Sequence, residues 1–186
     1  AYFNDVGGSN AGRAYIYFGG QSMDNITDAI LTGEVAADQF GWSVSTAGDV
    51  NGDGYSDVLV GANLNDAGGT NAGRVYLYMN SLKGTDIHDE FFTGEEIGDQ
   101  FGSSVSDAGD VNGDGYTDLI VGARTNDAGG SVAGRAYIYF GGAILDNTAD
   151  VILTGEIVGD NFGISVSSAG DVNGDGFDDV AIGAPT

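Results

Sequence analysis

The sequence predicts an all-β fold of β-propeller blades, each a sheet of four short antiparallel strands. Three observations carry that expectation. The 186 residues repeat at intervals of 61 without insertion or deletion, with Ala1, Ala62, Ala123 and Ala184 in register. Each repeat reads as four β-like runs between polar, glycine-rich turns, the pattern of a propeller blade. Thirty-four glycines leave little room for helix. The longest glycine-free stretches, 21–32 and 143–154, are 12 residues each and end in β-like runs. Glycine costs about 1 kcal/mol per helical position.

Each repeat opens with a polar turn, Asn4-Asp5-Val6-Gly7-Gly8, Asn65-Asp66-Ala67-Gly68-Gly69 or Asn126-Asp127-Ala128-Gly129-Gly130. An alternating strand follows: Arg13 to Tyr17, Arg74 to Tyr78 and Arg135 to Tyr139. Its tyrosines share one face and its aliphatics the other, by the strand period of two. After a looser segment comes a short strand ending in Thr-Gly-Glu, at Ile30-Leu31-Thr32, Phe91-Phe92-Thr93 and Ile152-Leu153-Thr154. An acidic turn leads to a third strand, expected to start at Phe40-Gly41, Phe101-Gly102 and Phe162-Gly163. Along it Phe40, Trp42 and Val44 would share one face, and Ser43 and Ser45 the other. A fourth strand closes the repeat at Gly61-Ala62, Gly122-Ala123 and Gly183-Ala184-Pro185.

Between the third and fourth strands lies one loop, three times over. It reads Asp49-Val50-Asn51-Gly52-Asp53-Gly54-Tyr55-Ser56-Asp57, and recurs at 110–118 and 171–179. Side-chain oxygens stand at positions 1, 3, 5 and 9: Asp49, Asn51, Asp53 and Asp57; Asp110, Asn112, Asp114 and Asp118; Asp171, Asn173, Asp175 and Asp179. Position 7, occupied by Tyr55, Tyr116 or Phe177, would offer its backbone carbonyl. A hard cation such as Ca2+ takes six to eight oxygens, and a short loop supplies them only by turning tightly. Glycine at position 6 permits the turn. Asn-Gly and Asp-Gly also mark ordinary hairpins. A hairpin alone does not require three carboxylates within nine residues. The EF-hand alternative fails, because it needs glutamate at position 12 and flanking helices. Position 12 here is Val60, Val121 or Ile182, within an apolar run. One Ca2+ per repeat is therefore expected, tying strand to strand.

Composition narrows the function. Twenty-eight acidic residues face five basic ones, a formal charge of −23. Nucleic acid and anionic membranes are poor partners for such a surface. No apolar run reaches the 18 residues of a membrane span, and no secretory signal is legible, so the sequence reads as a mature chain or a fragment. With no cysteine, disulfides do not stabilise the fold, and metal is the available substitute. Loops with three charged ligands suit the millimolar calcium found outside cells, so the expected location is extracellular or the cell surface.

The string Phe101-Gly102, then Ser104-Val105-Ser106-Asp107-Ala108-Gly109-Asp110, then Gly122-Ala123 resembles the FG-GAP repeat of integrin α-subunit propellers and their bacterial relatives. The closing copy is the fullest, ending in Gly183-Ala184-Pro185; the other two end in Gly61-Ala62-Asn63 and Gly122-Ala123-Arg124. The resemblance covers the whole chain. It implies four-stranded blades with the Phe-Gly strand innermost, and calcium in the hairpin between a blade's first and second strands. It also implies a ligand-meeting rim on the other side, built from the Asn-Asp-x-Gly-Gly and Thr-Gly-Glu turns, where a protein or glycan would bind.

In that frame the sequence divides into a half blade at 1–39, blades at 40–100 and 101–161, and a half blade at 162–186. The halves are complementary: strands at 162–184 lack the partners that 13–32 supply. Propellers usually have four to eight blades. Two chains closing a ring, chains adding head to tail, and further blades of a longer chain all answer the mismatch. Exposed half blades would otherwise present raw sheet edges.

Other residues are read plainly. Arg13, Arg74 and Arg135 are expected to form structural ion pairs or hydrogen bonds to a nearby Asp-bearing turn rather than a ligand clamp. The tyrosine pairs are expected to pack between sheets, Trp42 to sit in the core, and His88 to lie on the surface. His88 falls in the most divergent stretch, Ser81 to Asp89. Asp38, Asp99 and Asp160, with Glu34, Glu95 and Glu156, are expected as charged rim residues. The sequon at Asn25 suits an exposed loop. The leading reading is a non-enzymatic, calcium-stabilised module for adhesion or scaffolding. A filament subunit built from complementary half blades is the alternative; a propeller-based hydrolase rests only on scattered carboxylates.

Overall fold

The structure, a computed structural model, describes residues 1–79 and 88–185. Most of the divergent stretch beginning at Ser81 therefore lies outside the described residues. Among the described residues twelve strands follow one another: β1 (Arg13–Ile16), β2 (Ala29–Thr32), β3 (Ser43–Gly48), β4 (Asp57–Ala62), β5 (Arg74–Tyr78), β6 (Glu90–Thr93), β7 (Phe101–Gly109), β8 (Asp118–Ala123), β9 (Arg135–Tyr139), β10 (Val151–Thr154), β11 (Ser165–Gly170) and β12 (Asp179–Gly183). No helix occurs among the described residues. β3–β6 form one antiparallel four-stranded sheet and β7–β10 another; β1–β2 and β11–β12 are two-stranded. The four-stranded sheets are the all-β blades that the repeat predicts.

The core lies in the seams between sheets. One cluster joins Leu59, Val75, Leu77 and Phe92 to Phe101, Leu119, Val121 and Tyr137. A second joins Ala14 and Leu31 to Phe40, Val60 and Tyr76. The third joins Ile120, Ala136 and Ile138 to Phe162, Val166 and Ile182. Blade strands bury both faces, so in β5 the aliphatic and the tyrosine positions are both buried. The tyrosine pairs pack, as expected: Phe40 meets Tyr76 and Phe101 meets Tyr137 edge to face, at 5.3 and 5.4 Å. Tyr15, within β1 of a two-stranded sheet, and Tyr17, just after it, are exposed.

Phe-Gly is a hinge rather than the first residues of a uniform strand. β3 and β11 begin at Ser43 and Ser165, and β7 carries a bulge between Phe101 and Ser104. Phe40, Phe101 and Phe162 instead make isolated parallel bridges to Gly12, Gly73 and Gly134. The next residue, Gly41, Gly102 or Gly163, has φ of +80° to +85°, which reorients the chain before the strand. A Cβ on Gly122 would lie 1.9 Å from the Gly163 carbonyl oxygen, and one on Gly61 would lie 2.3 Å from that of Gly102. The glycine closing each repeat and the glycine of the next Phe-Gly thus press backbone to backbone across the seam.

Three side chains depart from their sequence reading. Trp42 is half-buried, its ring tilted against Tyr2 at 4.9 Å with the Arg124 guanidinium 5.8 Å from its ring. Val44, expected on the same face as Phe40, is exposed, because no sheet covers it there. His88 is half-buried among Tyr76, Tyr78 and Phe91, with Nδ1 3.8 Å from Glu34. Asn25 is exposed, as the sequon reading expects.

Candidate metal centre

Each nine-residue loop joins the first two strands of a sheet: β3 to β4, β7 to β8, β11 to β12. Glycines at positions 4 and 6 have φ between +74° and +94° in all three loops, a region open to glycine and strained for other residues. That turn brings the position 1 carboxylate over the loop's own amides. Asp49 Oδ1 accepts from the Asp53 N–H at 2.9 Å and Oδ2 from Gly54 at 2.8 Å. Asp110 and Asp171 add the position 4 amide, each at 2.7 Å. These amides hold the Asp171 carboxyl below the usual carboxylate range. Asn51, Asn112 and Asn173 accept from the position 5 amide, each at 2.9 Å. Asp53, Asp114 and Asp175 accept from the position 7 amide at 2.9–3.0 Å.

Position 9 is the unexpected member. Asp57 and Asp118 are fully buried. Their Oδ2 atoms accept from the position 2 amides of Val50 and Val111, at 3.1 and 2.8 Å, which draws the loop's two ends together. Asp118 Oδ1 also accepts from Gly141 N–H at 2.8 Å, tying the loop to the β9–β10 connection. Burial pushes the Asp118 carboxyl up, against the pull of these two amides. Asp179 makes the same bond to Val172 at 2.9 Å but is only half-buried.

Position 7 was read from sequence only as a carbonyl donor. The structure gives its aromatic ring a second role. A Cβ on Gly52 would stand 2.7 Å from Tyr116, and one on Gly113 would stand 2.6 Å from Phe177. Each ring thus lies on the position 4 glycine of the preceding loop. Beside it, the position 8 amides of Thr117 and Asp178 donate to the position 1 carbonyls of Asp49 and Asp110, at 3.3 and 3.0 Å. The three loops form one braced row. The sequence signal for this was the co-occurrence, every 61 residues, of glycine at position 4 with an aromatic at position 7.

The donor set fits a hard cation in kind: carboxylate and amide oxygens at positions 1, 3 and 5, a carbonyl at 7 and a carboxylate at 9, with no sulfur or imidazole. Among the described residues, no three Asp, Glu, His or Cys side chains converge closely enough to hold an ion by themselves. A metal here would share the oxygens of positions 1, 3 and 5 with the loop amides, and that of position 9 with the position 2 amide. Each carboxylate has about four lone-pair sites, enough for both duties.

At the opposite ends of the strands, the rim acids are not uniformly solvated. Asp38 and Asp99 are buried. Asn65 and Asn126, from the following polar turn, donate Nδ2 to them and lie 3.4 Å from the hydroxyls of Tyr76 and Tyr137. Burial pushes the Asp38 carboxyl up to about 6 and raises Asp99. Two of the three arginines have structural partners, glutamate and threonine rather than an Asp-bearing turn, whereas Arg13 Nε is buried with no hydrogen-bond partner among the described residues. Arg135 pairs with Glu95 at 2.9 Å and bonds Thr154; Arg74 bonds Thr93 and stacks on Phe91. Around these ties Val35, Ile97, Ile157 and Val158 stand exposed on the Thr-Gly-Glu turns.

Asp38 gives a pH test. Its folded value lies above the unfolded value of 3.8, so the stability held by its neutral form is present below pH 3.8 and is lost as pH rises through about 6. Asp38→Asn keeps an acceptor for Asn65 and removes the charge. In chelator, at about pH 7.5, it is expected to raise stability by roughly 2–3 kcal/mol, with the gain gone near pH 4. Thermal melts of both proteins across that range check it. Glu34, Asp66 and Arg74, which also face the carboxyl, are common to both.

The family model described as the FG-GAP repeat matches residues 40–78, 101–139 and 162–186. Among curated proteins, the chain is 40% identical to integrin alpha-5 of Xenopus laevis over 78% of its length, and 36% identical to integrin alpha-PS5 of Drosophila melanogaster over 95%. It is 33% identical to integrin alpha-8 of Homo sapiens over 90%. The chain spans only 14%, 18% and 17% of these three relatives.

Proposed function

Because the chain belongs to the FG-GAP repeat family of integrin α-like propellers, we propose that it is a calcium-stabilised, non-enzymatic module for adhesion or scaffolding, working outside the cell or at its surface. The observation that carries this is the row of three loops, identical in their oxygen-bearing positions and in backbone turn, braced ring-on-glycine along one rim. The residues that would hold the ions are those at loop positions 1, 3, 5, 7 and 9. A bound Ca2+ would offset the mutual repulsion of the three or four carboxylates in each loop and pin the hairpin. The opposite rim is then presented rigidly, and its exposed valines and isoleucines beside Glu34, Glu95 and Glu156 would meet a protein or glycan ligand. Two of the acids that a hydrolase would draw on, Asp38 and Asp99, are buried and bound to asparagine, which supports the non-enzymatic reading. The two open two-stranded sheets favour a second reading, a structural subunit that assembles through them.

Asp114→Ala tests the metal assignment. It is expected to remove one calcium per chain and to lower the melting temperature in about 5 mM calcium, with little change in chelator. Tyr55→Phe is expected to leave calcium uptake intact, since position 7 lends only its carbonyl. A large loss in that variant shows the ligand set to be wrong.

A further inference from the structure

A cavity of about 220 Å3 lies in the seam between the two four-stranded sheets, walled by Thr93, Glu95, Phe101, Tyr137, Tyr139 and Ala149. One repeat earlier the same positions hold Thr32, Glu34, Phe40, Tyr76, Tyr78 and His88. Only the last differs. In the earlier seam the imidazole of His88 occupies the place. It lies edge-on to Tyr76 at 5.0 Å, to Phe91 at 5.6 Å and to Tyr78 at 6.5 Å, with Nδ1 3.8 Å from Glu34. Ala149 ends at a methyl group, so the later seam keeps the walls of that socket without the ring.

The polar groups of the later seam point the same way. Glu95 Oε2 accepts from Arg135 and from the Tyr137 hydroxyl, at 2.9 and 3.1 Å, while Oε1 has no partner among the described residues. Tyr139 is 4% exposed, and its hydroxyl makes no hydrogen bond among the described residues, although buried hydroxyls normally have one. Arg135 takes only one of the two carboxylate oxygens. It turns to Glu95 because Ile152 stands where Phe91 offers Arg74 a ring to lie on. Ordered water would bond the same polar groups, but it makes no use of two tyrosine walls.

We propose that this cavity is a binding site for an imidazole ring supplied from outside the chain, seated against Tyr137 and Tyr139 with a ring N–H donated to Glu95 Oε1. The ring has an N–H whether neutral or protonated, so it donates to the carboxylate in either form. When neutral, its other nitrogen is an acceptor for the Tyr139 hydroxyl. A free imidazole compound and the histidine side chain of a partner protein present the same chemistry. The inference goes beyond the adhesion reading and needs neither the loop metal nor a ligand on the rim.

Imidazole itself is the probe. Titrated into the protein in calcium, it is expected to shift the amide NMR signals of Glu95, Tyr137, Tyr139 and Ala149 saturably, with a dissociation constant of about 1–10 mM, reasonable for so small a ligand. Ala149→His supplies the ring from within the chain and is expected to weaken uptake at this seam by at least about tenfold while raising the melting temperature. His88→Ala is the converse. It is expected to lower the melting temperature and to create a second imidazole site beside Glu34, where added imidazole restores part of the loss. That variant keeps the test alive if Ala149→His does not fold. Gly-His-Gly binding as tightly as imidazole, with Gly-Ala-Gly inert, assigns the ring to a partner protein; binding of imidazole without the peptide assigns it to a small molecule. No saturable shift of these four residues up to about 50 mM imidazole overturns the site and leaves a water-filled void. A shift that Ala149→His leaves unchanged overturns it equally.

Discussion

Stripping calcium is expected to lower the melting temperature by about 20 °C. At about 10 mM Ca2+ and a dissociation constant of about 0.1 mM, one site stabilises the folded state by about 2.7 kcal/mol. Three such sites give about 8 kcal/mol, and 1 kcal/mol shifts a domain of this size by about 2–4 °C. The physical source is local. Each loop crowds at least three carboxylates within nine residues, four in the last, and five basic residues in the whole chain cannot neutralise them. Sodium chloride screens exposed charges but offers no oxygen-coordinating centre, so it is expected to restore only a small part of the loss. Melting in calcium, in chelator, and in chelator with matched ionic strength separates coordination from screening.

Phe101→Ala is expected to destabilise the protein by about 3–5 kcal/mol, the cost of emptying a buried aromatic site. Phe101 is 1% exposed. It lies edge-on to Tyr137 and Tyr139, and its Cβ stands 2.9 Å from where a Cβ on Gly94 would sit. Its removal opens the largest seam, which joins the two four-stranded sheets. Phe162 holds the same place in the last repeat but is only half-buried, so Phe162→Ala is expected to cost about half as much. Urea unfolding of the two variants measures the contrast. Equal losses would show that the seams do not carry the stability.

Local structure was legible wherever one repeat determines it. The alternation in Arg74 to Tyr78 marks β5, the apolar run Leu119-Ile120-Val121 marks β8, and the glycines at 52 and 54 mark the turn. What escaped is what neighbouring repeats do to each other. An acidic residue reads as solvated, yet Asp38 and Asp99 are buried, each held by an asparagine from the turn that follows the neighbouring strand of the same sheet. Asp57 and Asp118 read as metal ligands alone, and the structure shows them also holding the position 2 amides. The ring at position 7 had no reason to be aromatic until it was seen on the glycine of the preceding loop. Phe-Gly looked like strand because phenylalanine favours strands; the positive φ of the glycine makes it a hinge. His88 looked like a surface residue because it is polar and solitary, but Tyr76, Tyr78 and Phe91 surround it.

The most direct test of calcium in the loops is a calorimetric titration of metal-free protein, read as ions bound per chain. Saturation at three, falling to two in Asp114→Ala, is the expected result. No saturable uptake, with a melting temperature that calcium does not move, contradicts it.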